Sequence, residues 1–176
     1  ARSAAFERND GQYDGAFNYR FAGNNACVDF YEDRVEFALR KVTRAFNPRN
    51  VEEPIQFDYI NWSIKLNSTV PVHHLGELTK LNTNFFQQNG TAISKKVAEA
   101  IIYTNIYPNI DLKFYTSDNG ELKYDFILHK GANLSDIVLS YEGVEELKVT
   151  DKGNLSYQTR WGEIQEEKPF SFKSGS

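Results

Sequence analysis

Between residues 35 and 40 the chain alternates. Val35, Phe37 and Leu39 fall on one side, and Glu36, Ala38 and Arg40 on the other. A period of two is the mark of a strand with one buried and one wet face. The same pattern predicts strands over residues 17–22, 26–31 and 35–42, with "EDR" as a short hairpin connection before the last. "TRAFNPRNVEEP" is polar, carries two prolines and reads as an exposed loop, and "IQFDYINWSIKLN" follows as a long or bent strand. From Asp111 onward "DLKFYT", "SDNG" and "ELKYDFILH" form a hairpin, in which Asn-Gly is expected to supply the positive φ values. "IVLSYEG", "ELKVT", "DKGN", "LSYQTR" and "WGEIQEEKPFSF" continue the series. Turns recur roughly every 8–12 residues, the spacing of a sandwich or barrel.

One segment is mixed. In "TAISKKVAEAIIYTNIYPNI", Ile93, Val97 and Ile101 are at helical spacing, yet "AIIYTNIY" is β-branched and aromatic and Pro108 stops any helix. The reading divides it into a helical turn at 94–97 and a strand at 98–104. The fold class predicted is all-β: an antiparallel sandwich built from consecutive hairpins, with at most one or two short helical turns. One β-rich domain is expected over residues 6–172, between an N-terminal extension (1–5) and a linker (173–176).

Composition sharpens this. Aromatics reach 14% of 176 residues, with 13 Phe and 10 Tyr, which suits a pleated, half-buried surface. A net charge of −4 without a dense basic run argues against a nucleic-acid partner or an anionic membrane. No apolar stretch approaches the roughly 18 residues that span a bilayer, so no membrane insertion is expected. Cys27, the lone cysteine, allows no intrachain disulfide or thiolate cage, and its apolar strand predicts a buried, inert thiol. The chain opens on "ARSAAFERN" and contains no Met, so it is expected to be a processed piece from which a leader has been removed.

Laid out in order, the strands carry a resemblance. "FERNDGQYDGAFNYRF" resembles the F-E-N-x-G-Q opening of an N-terminal domain of unknown function found in large secreted bacterial proteins of the Bacteroidota type. The stretch from "NIYPNIDLKFY" to "KPFSF" resembles the rest of that domain: Y-P-G-I-D-L, G-x-L-x-Y-D-F, P-G-A, L-x-Y-x-G and G-E-x-x-x-x-K-P. The signature positions here are Asn9, Gly11, Gln12, Pro108, Asp111, Gly120, Tyr124, Asp125, Phe126 and Gly131. Asn109 stands where the family has glycine, and Lys130 where it has proline. The resemblance implies a multidomain surface protein with beta-propeller-type repeats or immunoglobulin-like modules, and a C-terminal signal of gliding motility and type IX secretion. It carries no catalytic residues.

The candidate chemistry is thin. Gln12 is expected to tie a turn together, and Asp111 and Asp125 to be hydrogen-bonded or exposed strand acids rather than an acid/base pair. His73 and His74 are adjacent and His129 is distant, so no zinc site is expected. No catalytic motif, metal or cofactor is identified. Aromatic residues are the one functional lead: Trp161, Trp62, Tyr13 and Tyr157, with Tyr115 beside them, as stacking or docking surfaces. The expected function is a non-catalytic structural or adhesive module at the cell surface, contacting other domains of its polypeptide or surface proteins. The alternative is a carbohydrate-binding module, and a hydrolase fragment stands third.

Overall fold

The computed structural model describes residues 6–23, 25–86, 92–167 and 171–173. The expected extension (1–5) and most of the expected linker lie outside them. Sixteen strands and one 3-10 turn (Leu134–Asp136) are described, in an all-β arrangement. In chain order the strands are β1 (Phe6–Arg8), β2 (Tyr19–Ala22), β3 (Ala26–Phe30), β4 (Arg34–Arg44), β5 (Gln56–Lys65), β6 (Val72–Leu75), β7 (Thr79–Phe86) and β8 (Ala92–Ala98). There follow β9 (Ala100–Tyr107), β10 (Ile110–Thr116), β11 (Leu122–Leu128), β12 (Ser140–Glu142), β13 (Glu145–Val149), β14 (Leu155–Thr159), β15 (Gly162–Glu166) and β16 (Ser171–Lys173).

They form an eight-stranded sheet (β12-β5-β4-β3-β2-β1-β8-β7), a five-stranded sheet (β16-β11-β10-β9-β6) and a three-stranded sheet (β13-β14-β15). The smaller two lie on the same face of the large one. Register explains which face. Phe6, Phe21, Val28, Phe37 and Trp62 are consecutive cross-strand partners, so one apolar row runs over five strands. The next set, Glu7, Arg20, Asp29, Glu36 and Ser63, points the other way. The apolar row and its neighbours pack against Ile101, Tyr103, Leu112 and Phe114 of the five-stranded sheet. Further along, Ile60 and Trp62 pack against Tyr157 of the three-stranded sheet. Phe37 touches both clusters and lies under their junction. Pairing is antiparallel except between β11 and β16, which run parallel, the one such pair among the described residues.

Three local expectations need correction. Residues 94–97 are not a helical turn but part of β8, which lies between β1 and β7. Tertiary pairing outweighs the helical spacing: β8 pairs with both β1 and β7, and Lys95 meets Glu7 at 2.6 Å and Lys96 meets Asp10 at 3.6 Å. The chain then changes sheets between Ala98 and Ala100. In "SDNG", Gly120 has φ +79° but Asn119 is not left-handed. Ser117 O accepts from Gly120 N (2.8 Å) and Ser117 N donates to Glu121 O (2.9 Å), so the loop is a tight turn closed by one left-handed glycine. "TDKGN" repeats the device through Thr150, Gly153 and Asn154. Finally, "IVLSYEG" yields only the short β12, preceded by the 3-10 turn.

Candidate functional site

The opening signature is a self-contained loop. Asn9 donates through Nδ2 to Gly15 O (3.2 Å) and Phe17 O (3.1 Å), while its Oδ1 accepts from Gly11 N (3.2 Å). Gln12 accepts from Asp10 N (2.7 Å) and donates to Arg8 O (2.6 Å). Its side-chain amide therefore engages backbone in both directions. Tyr13 donates to Glu7 and lies under the Arg20 guanidinium, 4.6 Å from its ring centroid. Burial, with Glu7 alongside, pushes the Tyr13 phenol upward. This ring is held between a carboxylate and a guanidinium and is not a free platform.

A second signature cluster surrounds the β9–β10 turn. Asp111 is buried, and its carboxylate accepts from Asn105 N (2.7 Å) and contacts His129 Nε2 (2.6 Å). Pro108 and Asn109 form the two-residue turn, and the Cβ that Gly131 lacks would meet Asn109 Nδ2 at 3.5 Å. Asp125 faces Lys113 across β10–β11, and Tyr124 and Phe126 share the opposite, inward side. Asp111 and Asp125 lie on separate environments of the sheet, one tied to a turn and one to a cross-strand neighbour. His74 pairs with the Tyr19 hydroxyl (2.9 Å), and His73 is exposed. Among the described residues no three His, Cys, Asp or Glu side chains gather as a metal would need.

The expected stacking aromatics are placed otherwise than the sequence suggested. Trp62 is 7% exposed and Tyr157 0%, so neither is a surface platform. Both fall on the inward parity of their strands, with Trp62 stacked on Phe37 at 5.3 Å and 4°. Trp161 is half-buried at the tip of the β14–β15 hairpin, where its Nε1 donates to Asp58 Oδ2 (2.7 Å). Arg160 beside it reaches Asp58 Oδ1 at 2.5 Å. The tip thus clasps both carboxylate oxygens of β5. Cys27 is likewise corrected: it is half-buried on the outer parity of β3, with Sγ 3.9 Å from Asp29 Oδ1, and desolvation raises its thiol pKa.

Between the two covering sheets lies a cleft of about 760 Å³, floored by Phe37, Leu39 and Trp62. Tyr124, Tyr157 and Glu166 of its lining belong to a phenol cluster on one carboxylate. Glu166 accepts from Tyr157 (2.6 Å), Tyr141 (2.8 Å) and Tyr124 (3.5 Å). Burial, then the neighbouring charge and phenols, pushes the Tyr124, Tyr141 and Tyr157 hydroxyls well above the ordinary phenol range. The Lys123–Glu167 ion pair (3.0 Å) ties the rims together. This cluster joins β11, β12, β14 and β15, and its phenols are donors held in the neutral form, not bases.

The outer face of β3, β4 and β5 is different. There the register aligns Tyr59, Asn61 and Ser63 along β5 with Arg40, Ala38 and Glu36 along β4. A depression of about 590 Å³ includes Asn61, Ser63, Glu36, Asp29 and Cys27. Asp29 is held by Arg20 (2.6 Å) and Glu36 by Arg34 (2.7 Å). β3 pairs with β4 only as far as Leu39, so beyond it β4 and β5 continue as a two-stranded ribbon. That ribbon and its loop expose Val42, Phe46, Val51, Ile55, Phe57 and Tyr59. Tyr59 is 51% exposed and Phe57 39%, with ring centroids 6.4 Å apart, and Arg40 lies 4.8 Å over Phe57. Sequence reading missed this face because it chose the tryptophan at position 62. Strand parity could have found it, since a buried Trp62 places Tyr59, Asn61 and Ser63 outward.

The molecule is thus a two-layer all-β sandwich whose second layer is split in two. A family model described as a domain of unknown function (DUF7948) matches residues 6–176, and the chain belongs to that family. No curated protein and no solved structure is matched. No helix among the described residues is long and apolar enough to cross a membrane.

Proposed function

We propose that this domain is a non-catalytic contact module of a large exported bacterial protein, working at the cell surface through the outer face of its large sheet. The exposed β4–β5 ribbon carries this reading. Among the described residues six large apolar side chains stand in solvent there, with Leu134, Val138, Leu147 and Val149 exposed elsewhere, while Tyr13 and Trp161 are hydrogen-bonded within the fold. Val42, Phe57 and Tyr59 share one face of the ribbon, and exposed apolar side chains grouped in this way mark an interaction site. Glu166, Asp111 and Asp58 are each held by donors within the domain, which favours structural roles for these three carboxylates. The Bacteroidota, type IX secretion and gliding-motility setting rests on the sequence resemblance.

The test is co-sedimentation of the purified domain with the envelope fraction of the producing bacterium. The wild-type domain is expected in the pellet. A Phe57→Thr/Tyr59→Thr double variant, which keeps strand-compatible side chains, is expected in the supernatant with its Tm unchanged. Equal sedimentation of both proteins would remove the ribbon from the mechanism. Turnover of a glycoside or peptide substrate by the isolated domain would overturn the non-catalytic reading.

A further inference from the structure

We infer that the cleft between the two covering sheets is a binding site for an organic cation, an ammonium group carried on an apolar or aromatic body. The inference is independent of the contact reading. The cleft lies over the inner face of the large sheet, and the ribbon presents the outer one. Its volume of about 760 Å³ is that of a small-molecule site, for which roughly 300–1,000 Å³ is usual. Each sheet contributes to the lining: Phe37 and Leu39 from β4, Leu122 and Tyr124 from β11, Ile164 and Glu166 from β15. All six are half-buried, so each keeps accessible surface although the five apolar or aromatic ones pack on the core clusters. Such walls suit an apolar body, and the Tyr124 ring is a face over which a cation is attracted.

Glu166 gives the ligand its sign. Carboxylates elsewhere in the fold are met by cations: Glu7 by Lys95, Asp29 by Arg20, Glu36 by Arg34 and Asp58 by Arg160. Among the described residues, Glu166 is held by neutral donors alone. Its Oε1 accepts from Tyr157, and its Oε2 from Tyr141 and Tyr124. A carboxylate offers about four acceptor sites, so Oε1 retains one for a further donor. Phenols share the charge through hydrogen bonds and do not neutralise it. The rim has the same sign. Glu121 and Glu167 stand on either side of Lys123, 3.8 and 3.0 Å from its ammonium, so three carboxylates of the lining face one cation. An amine entering the cleft meets a complementary field, and an anion of the same shape meets repulsion.

Equilibrium dialysis of the domain against 4-phenylbutylamine, 4-phenylbutanol and 4-phenylbutyrate tests the inference, since the three share one body and differ in charge at neutral pH. The amine is expected to bind about tenfold more tightly than the alcohol, and the butyrate more weakly than either. Added salt is expected to weaken binding of the amine and to leave that of the alcohol unchanged. Glu166→Gln keeps an acceptor for the phenols, and is expected to equalise amine and alcohol while the alcohol still binds. Leu122→Trp fills the cleft from its wall and is expected to abolish uptake of both, with the Tm of each variant checking the fold. Should either variant unfold, the charge order and the salt dependence of the wild-type domain decide the matter. No uptake of the amine, an alcohol bound as tightly as the amine, or an amine preference that survives Glu166→Gln would each overturn the inference. None of these results bears on sedimentation through Phe57 and Tyr59, so the two readings stand or fall separately.

Discussion

Asn109 shows how one substitution within a family pattern is absorbed. It stands at φ +61° after Pro108, the arrangement of a type II turn, whose third position needs a left-handed residue. The family has glycine there, and asparagine is among the side chains that tolerate this conformation best. The backbone of Asn109 is also held on both sides. Its N–H donates to Asn105 Oδ1 (2.9 Å), and its carbonyl accepts from His129 N (2.9 Å). These bonds survive any side-chain change, so substitutions isolate the φ requirement. Asn109→Gly is expected to leave stability nearly unchanged, whereas Asn109→Ala is expected to cost about 1–2 kcal/mol. Urea denaturation of the pair decides it: an alanine variant as stable as the glycine variant would show that the turn does not depend on the left-handed backbone.

At the scale of elements, the chain was most legible where neighbours in sequence pair. The hairpins β3–β4, β10–β11 and β14–β15 follow from period-two alternation and turn residues, all of them local signals. β7 and β8 were opaque for the opposite reason. Lys95 and Lys96 are consecutive cations in an apolar run, and their strand pairs with β1 and meets Glu7 and Asp10, more than eighty residues away in the chain. The candidate site was less legible still. Alternation says that Trp62 and Tyr59 lie on opposite faces, but not which face a third sheet will cover. That is settled by Tyr157, which packs on Trp62 at 5.8 Å from the far end of the chain. β12 shows a similar long-range demand. Gly143 follows it at φ +83°, and a Cβ there would stand 3.0 Å from Asn61 O and 3.3 Å from Trp62 Cα. Gly143→Ala is expected to destabilise by about 1–3 kcal/mol and to release β12 from β5. Hydrogen exchange at residues 63–65 would rise with it, since these are the partners of β12. Unchanged exchange there would mean that the strand tolerates the intrusion.

On the scale of the whole molecule, the split second layer raises the question of what keeps the three-stranded sheet in place. Its apolar contact is the small cluster of Ile60, Trp62 and Tyr157, and the Asp58 clasp lies at its outer edge. Hydrogen bonds from Arg160 first, and then Trp161, hold the Asp58 carboxyl below its ordinary value of 3.8. A carboxyl depressed in the folded state favours folding above its unfolded pKa, and that contribution is lost as pH falls through the lower folded value. The clasp should therefore be intact at neutral pH and open in acid, below about pH 4. The two tryptophans make this readable, because Trp62→Phe leaves Trp161 as the sole indole. In that background, Trp161 emission is expected to be constant from neutral pH down to about pH 4 and then to shift red. Asp58→Asn is expected to weaken the Arg160 contact, shift the emission already at neutral pH and remove the acid transition. Matching titrations with and without Asp58 would assign the acid response to another group and leave the apolar cluster alone to seat the sheet.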